Sequence, residues 1–266
     1  MKRTRKEILR MRILIFCAVV VVIVVGAVIA SKISKSQPDQ YDKNRQRLEK
    51  LEKADISETE KRWTDLEEEE NKTQIDESKR NEYGVVVLDN VALKKAFDNT
   101  VIVGDSFAEG ILSYGFLDEG SVVYKRGASV NKIEEEIQKV ISMKPGTVVM
   151  EFGCNDLSMY GTDIEGFIKK YKEEIAKVKK GLPDATIYVN SILPMTEAKM
   201  QEEPGRQKIN EYNQEIQKMC EEEGYQYIDS TFIVTKNPGL FEQDGIHMKK
   251  EYYTQWLSYI VEKAGL

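Results

Sequence analysis

Residues 101–110, VIVGDSFAEG, decide the expected fold. An apolar run typical of a buried strand stops at Gly104, and Ser106 follows two residues later. A serine at this point either caps a helix that begins near Phe107 or acts as a nucleophile at the end of a strand. The choice depends on which partners the rest of the chain brings to it.

Four further apolar runs follow, separated by helical patterns. The five runs lie at residues 100–103, 121–124, 147–152, 186–193 and 225–229. This alternation predicts an α/β fold in which helices cover both faces of a mainly parallel five-stranded sheet. Apolar stripes at helical spacing occur within 164–181, 209–219 and 250–264, and we interpret them as core. We therefore expect one three-layer α/β/α domain over residues 83–266.

In such a sheet, ligands bind at the carboxyl ends of the strands. Ser106, Gly127 and Asn155 each follow one of the first three runs, and Asp244 and His247 precede the last helix. His247 is the only histidine in the chain. A serine hydroxyl becomes a nucleophile when a nearby base takes its proton, and histidine has its ordinary pKa near neutrality. We predict that Ser106 is the nucleophile, His247 the base and Asp244 the carboxylate that orients the imidazole.

These blocks resemble the SGNH/GDSL hydrolases, a family of serine esterases and acyl-transfer enzymes with a flavodoxin-like fold. The likeness covers residues 98–264 and consists of Gly-Asp-Ser at 104–106, Gly127, Gly-x-Asn-Asp at 153–156 and Asp-x-x-His at 244–247. One departure is Phe107, where the family signature usually has leucine. The exchange of one apolar side chain for another leaves the resemblance intact.

The resemblance also implies an oxyanion hole. Its donors would be the backbone N–H groups of Ser106 and Gly127 and the side-chain amide of Asn155. We assign the neighbouring Asp105 and Asp156 to loop structure and not to chemistry. A single histidine without clustered ligands predicts no metal, and no other cofactor is expected.

The N-terminus predicts a membrane anchor. Residues 1–12 carry six Lys or Arg against one Glu, and the 19 residues of 13–31 carry no charge. As a helix with a rise of about 1.5 Å per residue, this segment nearly spans a bilayer core of about 30 Å. The basic tail predicts a cytoplasmic N-terminus and an extracytoplasmic catalytic domain at the cell membrane. A cleaved signal peptide is the alternative, because Val28 and Ala30 are small enough to precede a cleavage site.

A charged segment joins the anchor to the domain. Within the linker at 32–82, residues 41–80 contain 13 acidic and 10 basic residues and too few apolar ones for a core. We interpret it as a solvated, partly helical stalk. The net charge of the chain is −6, so residues after the basic tail sum to −11. An acidic body without a basic stripe argues against nucleic acid as a partner.

The three cysteines define no disulfide framework and no zinc site. Cys17, Cys154 and Cys220 lack CxxC spacing. A pairing of Cys154 with Cys220 stays open, as does the oligomeric state.

The sequence thus predicts an extracytoplasmic serine hydrolase that cleaves acyl esters of small molecules, cell-surface carbohydrate or lipid. An O-acyltransferase would use the same triad, and a surface binding module would use no triad at all. An α/β-hydrolase is less consistent with the sequence, because Ala108 stands where the closing glycine of a GxSxG elbow is required. Acyl and alcohol specificity depend on the loops at 193–206 and 235–243, which show no readable pattern.

Overall fold

The computed structural model describes residues 17–25, 27–28, 43–47, 50, 61, 76–77 and 80–266. The chain divides into two compact units, Met1–Asp65 and Leu66–Leu266, and each described residue of the first is helical and exposed. No helix within the described residues combines the length and the apolar character that crossing a membrane requires. The predicted tail at 1–12 lies outside the described residues, and the segments at 13–31 and 32–82 do so in part. All three stay predictions.

A five-stranded sheet forms the centre of the second unit. Its strands are β1 (Thr100–Gly104), β2 (Val122–Tyr124), β3 (Thr147–Glu151), β4 (Thr186–Asn190) and β5 (Gln226–Ile228). They pair in the order β2-β1-β3-β4-β5, and each pairing is parallel. The predicted α/β fold with a parallel sheet is confirmed. The chain order reverses between β1 and β3, so the loops beyond these strands border a crevice.

Helices connect the strands. They are α1 (Asn90–Ala96), α2 (Ser106–Ser113), α3 (Glu134–Met143), α4 (Asp156–Tyr160), α5 (Ile164–Gly181), α6 (Glu197–Met200), α7 (Ile209–Glu223), α8 (Thr231–Thr235) and α9 (Lys250–Ala264). Short 3₁₀ turns occur at Val130–Lys132, Arg206–Lys208 and Pro238–Leu240. The helices predicted at 164–181, 209–219 and 250–264 are confirmed as α5, α7 and α9.

Two apolar clusters, one on each face of the sheet, make the three layers. One contains buried side chains of α3, α5 and α7, and the other contains those of α1, α2, α8 and α9. Strand β1 contributes Val101 and Val103 to the first cluster and Ile102 to the second. Because both faces are covered, β1 is a continuous apolar run and not an alternating one.

The segment before α1 lies along α9. An Arg80 guanidinium nitrogen is 3.0 Å from a Glu262 carboxylate oxygen, and the Leu88 N–H donates to Ser258 Oγ at 2.9 Å. The folded unit therefore includes residues N-terminal to α1, and experiments on the site are best done with the full chain.

Candidate active site

Ser106 is held at the point where β1 becomes α2. The strand ends at Gly104 and the helix begins at Ser106, so the hydroxyl lies in the first helical turn at the carboxyl edge of the sheet. Asp105 caps this helix, with Oδ1 accepting the Phe107 N–H at 3.0 Å. Gly104 is required by close packing, because a Cβ there would lie 2.6 Å from the carbonyl oxygen of Glu151 on β3.

His247 and Asp244 lie in a tight turn before α9. The Glu242 N–H donates to the His247 carbonyl at 2.8 Å, which closes the turn. Gly245 adopts a φ of +74°, and a Cβ at this position would lie 2.4 Å from Thr196 Oγ1. The Thr196 N–H in turn donates to the Gly245 carbonyl at 2.9 Å. The turn thus packs against the loop that follows β4, and glycine at 245 permits both its conformation and that contact.

Hydrogen bonds connect the three predicted triad residues. His247 Nδ1 lies 2.6 Å from Asp244 Oδ2, and His247 Nε2 lies 3.1 Å from Ser106 Oγ. A carboxylate at Nδ1 assigns the proton to that nitrogen and leaves Nε2 free to accept the serine proton. The structure therefore brings together the nucleophile, base and carboxylate that the sequence predicts, in the predicted order.

Asp244 is electrostatically suited to this position. Partial burial raises its pKa, but the hydrogen bond with His247 and the backbone N–H groups of Ile246 and His247 outweigh burial and bring the pKa down to about 2. Asp244 is therefore ionised at neutral pH.

The ring of Phe107 lies beside the imidazole of His247, with a centroid separation of 5.8 Å. The residue that departs from the family signature thus packs against the predicted base.

The predicted oxyanion residues converge on the same crevice. Gly127 follows β2 and has a φ of +68°, and Asn155 directly precedes α4. Ser106, Gly127, Asn155 and His247 all line one cavity of about 430 Å³. A carbonyl oxygen bound near Ser106 would face a backbone N–H and a side-chain amide, which are the donors that a developing oxyanion requires.

Charged, aromatic and small or apolar residues together form the rest of the cavity wall. They are Glu109, Gly110, Ser113, Tyr114, Arg126, Glu242, Met248 and Tyr253. Arg126 makes a two-pronged ion pair with Glu109, with nitrogen–oxygen distances of 2.7 and 2.5 Å. These hydrogen bonds lower the pKa of Glu109 below its ordinary value. Glu109 and Arg126 thus form a paired, charged patch in the cavity wall.

Two aspartates assigned to loop structure contact the predicted oxyanion residues or their loops. Asn155 Nδ2 donates to Asp105 Oδ2 at 2.7 Å, and the Val130 N–H in the loop after Gly127 donates to Asp156 Oδ1 at 3.0 Å. Both aspartates are fully buried, and burial raises the pKa of each to about 6.

Sequence reasoning missed Glu151, the last residue of β3. It is 2% exposed and lies beside Asp105. The sequence does contain a sign of this residue, because a carboxylate interrupts the apolar run 147–152. An unpaired charge in a buried strand is energetically costly.

The cysteines are free thiols in the described residues, so Cys154 and Cys220 form no disulfide with each other. Burial raises the pKa of Cys154 well above its ordinary value, although it lies next to Asn155. A thiol that stays protonated is a poor nucleophile, whereas the hydroxyl of Ser106 lies within hydrogen-bond distance of His247 Nε2.

Comparisons with known proteins identify the family and the fold of the chain. A family model described as the GDSL-like lipase/acylhydrolase family matches residues 102–254. The chain is 19% identical to a GDSL-like lipase of known structure from Bacteroides thetaiotaomicron, with a TM-score of 0.50 and coverage of 66% of this chain and 94% of that one. It is 14% identical to a catalytic mutant of an acetylxylan esterase from Geobacillus stearothermophilus, with a TM-score of 0.50 and coverage of 64% and 94%. A search among curated proteins gave no match. At these identities the two structures show a shared fold.

Proposed function

The chain belongs to the GDSL-like lipase/acylhydrolase family and is a carboxylic ester hydrolase, and we propose that it is an extracytoplasmic serine esterase with Ser106, His247 and Asp244 as its triad. The hydrogen-bond chain from Ser106 Oγ through the imidazole to Asp244 Oδ2 is the observation that carries this proposal. Its two distances, 3.1 and 2.6 Å, lie within the reach that proton transfer needs.

In the first half of the reaction, Ser106 Oγ forms a bond to the ester carbonyl carbon while its proton moves to His247 Nε2. The carbonyl electron pair moves onto oxygen, and the resulting oxyanion accepts hydrogen bonds from the N–H groups of Ser106 and Gly127 and from Asn155 Nδ2. Collapse of this intermediate breaks the bond to the alcohol oxygen. The alcohol leaves with the proton from His247, and the acyl group stays on Ser106.

Water completes the reaction. It gives a proton to His247 Nε2 and bonds to the acyl carbon, after which the bond to Ser106 Oγ breaks and the serine regains the proton. The ionised Asp244 stabilises the imidazolium that forms in both halves. Ser106 and His247 return to their starting protonation states, and the products are a carboxylic acid and an alcohol.

The charged and phenolic groups in the cavity wall support a carbohydrate ester as the substrate in preference to a long-chain lipid ester. Glu109, Arg126, Glu242 and Tyr114 present carboxylate, guanidinium and phenol groups next to the nucleophile. Such groups can hydrogen bond to sugar hydroxyls, whereas an alkyl chain packed against them would remove their hydration and offer no hydrogen bond in return.

Labelling with a fluorophosphonate tests the nucleophile. The full-length protein should gain one covalent adduct by intact mass, and Ser106→Ala should gain none. Ser142→Ala is the matched control, because Ser142 is an exposed helical serine on α3 whose hydroxyl bonds only to the Lys139 carbonyl. An adduct on Ser106→Ala, or none on the native chain, overturns the proposal.

Product analysis then identifies the reaction. Hydrolysis of acetylated oligosaccharides and p-nitrophenyl acetate in preference to p-nitrophenyl palmitate supports the carbohydrate assignment. An O-acyltransferase forms the same acyl-enzyme, which a sugar hydroxyl attacks in place of water. Transfer of the acyl group to an added acceptor sugar, with little free acid, would identify that alternative.

We also propose that the catalytic domain faces the outside of the cell, supported by the uncharged run at 13–31 and the basic residues before it. Alkaline phosphatase fused after Leu266 should be active in cells, and a green fluorescent protein fused at the same point should not fluoresce when exported unfolded. The opposite pair of results would place the domain in the cytoplasm.

A further inference from the structure

The buried Glu151 has no role in the mechanism above, yet it lies directly behind the oxyanion hole. Residues Glu151 and Gly104 are partners in the register of β3 and β1. A Cβ at position 104 would lie 2.9 Å from Glu151 Oε2, so the glycine leaves the space in which this carboxyl sits. The strand pairing thus places a carboxyl group next to Asp105, the residue after Gly104.

Two neighbouring buried carboxyl groups cannot both be charged without a large energetic cost. Burial and then the nearby Asp105 carboxylate raise the pKa of Glu151 well above its ordinary value. Burial also raises the pKa of Asp105, and the hydrogen bonds that Asp105 accepts oppose this increase. The pKa of Asp105 is about 6. The pair therefore holds one proton at neutral pH.

The hydrogen bonds around the pair decide which carboxyl carries that proton. Both oxygens of Asp105 already accept N–H groups, one from Phe107 and one from Asn155. Glu151 Oε2 is buried and receives no hydrogen bond from the described residues. An oxygen that receives no hydrogen bond can carry the proton, and the neighbouring Asp105 carboxylate is an acceptor for it.

The orientation of Asn155 follows from this arrangement. Because Asp105 is an acceptor, the amide of Asn155 must present Nδ2 and not Oδ1 to it. One N–H of the planar amide is occupied at 2.7 Å by Asp105, so the second N–H is directed away from that carboxylate. The cavity beside Ser106 is lined by Asn155.

We propose that Glu151 is a positioning residue of the oxyanion hole: its protonated carboxyl donates to Asp105, and Asp105 holds Asn155 so that the free N–H meets the oxyanion. This inference rests on the proposed function. It assigns Glu151 no contact with substrate and makes its neutral, hydrogen-bond-donating form the active one. A neutral side chain of the same shape that also donates a hydrogen bond should therefore be able to replace Glu151.

Two substitutions separate the donor from the charge. Glu151→Gln keeps a donor toward Asp105 and is always neutral, so kcat should stay within about threefold of the native value. Glu151→Leu has similar volume and no donor, so kcat should fall by about tenfold or more while KM changes little. Circular dichroism melts check folding, and Glu151→Met replaces the leucine variant if that does not fold. A folded glutamine variant that loses more than tenfold in kcat overturns the proposal.

A double-mutant cycle tests whether Glu151 acts through Asn155. Asn155→Ala alone should lower kcat by about 10² to 10³. Adding Glu151→Leu to that variant should cost no more than about twofold further, because the group to be positioned is already gone. Independent, multiplying losses would show that Glu151 acts elsewhere.

Failure of this inference is distinguishable from failure of the proposed function. If the native chain takes one fluorophosphonate adduct at Ser106 and hydrolyses esters, the proposed function stands whatever the Glu151 variants do. If the single Glu151 variants then match the native kcat, only the positioning role is overturned.

Discussion

Asp244 contacts His247 through both of its carboxylate oxygens. Oδ2 lies 2.6 Å from Nδ1 of the imidazole, and Oδ1 accepts the backbone N–H of His247 at 2.9 Å. The Ile246 N–H donates to the same Oδ1 at 2.9 Å. One carboxylate therefore builds the turn and orients the ring that the turn carries, which explains why a spacing of three residues is sufficient.

Asp244→Asn should separate the role of Asp244 in stabilising the turn from its role in orienting the imidazole. The amide oxygen can still accept the two backbone N–H groups, so the melting temperature should change little. Its NH₂ group donates toward Nδ1 and thereby moves the imidazole proton to Nε2, where it blocks acceptance of the serine proton, so kcat should fall by about 10³ to 10⁴. Ester hydrolysis rates and thermal melts measure both effects. Asp184→Asn, an exposed change before β4 at the opposite end of the sheet, is the control and should keep full activity.

Ser106→Ala and His247→Ala should each remove most of the activity, because the two groups act as one unit in the transfer of the serine proton. The double variant should be little worse than either single one. Initial rates with p-nitrophenyl acetate for the four proteins test this. Losses that multiply would show that the two residues contribute by separate mechanisms.

Gly127→Ala should lower both stability and activity. Its φ of +68° disfavours a side chain, although nothing lies within 4 Å of the Cβ position. The same is true of Gly224, with a φ of +74°, which ends α7 away from the cavity. Each alanine variant should lose roughly 1 to 2 kcal/mol in the free energy of unfolding.

Only Gly127→Ala should also lose kcat, by about tenfold or more, because relief of the strain at this φ shifts the backbone that carries a proposed oxyanion N–H. Denaturant titrations and kcat measurements on the two variants decide the point. Equal kcat values in Gly127→Ala and Gly224→Ala would contradict the prediction that the backbone conformation at position 127 matters for catalysis.

Asp156 should make the stability of the protein depend on pH. Its pKa is about 6 in the fold against an ordinary value of 3.8, mainly because of burial. Between these values the folded chain holds a proton that the unfolded chain has released, so the free energy of unfolding falls as pH rises through this window. The full effect amounts to roughly 2 to 3 kcal/mol.

Asp156→Asn removes this titration and keeps an acceptor for the Val130 N–H. The stability of the variant relative to the native chain should therefore improve from about pH 4 to about pH 7. Urea titrations at both pH values measure the difference. A difference that is constant across the window would contradict the burial argument.

The parallel sheet and its principal helices were predictable because burial on two faces leaves a clear pattern in the sequence. Strand β1 is continuously apolar, and α5 shows a full helical stripe that ends near Gly181. The residues at the strand ends were predictable because parallel strands bring their carboxyl ends to one edge. That reasoning identified Ser106 and Asn155 without knowledge of the strand order, and His247 was identified as the only histidine in the sequence.

The role of Glu151 was not predictable in the same way. Its neighbour Asp105 is 46 positions away in the sequence, and their contact depends on the register that pairs Gly104 with Glu151. The helix α6 was also missed, since Glu197–Met200 is a single short turn within a loop that shows no apolar periodicity. Features that depend on register or on one helical turn leave no periodic signal.

The contact between Gly245 and Thr196 joins the turn that carries His247 to the loop after β4. Thr196 belongs to the loop at 193–206, on which we expect acyl and alcohol specificity to depend. A graft that exchanges this loop to change which esters are accepted also replaces the support of the imidazole. Engineered specificity in this enzyme therefore requires that the first residues of the grafted loop keep a small hydroxyl side chain and a free backbone N–H against the glycine.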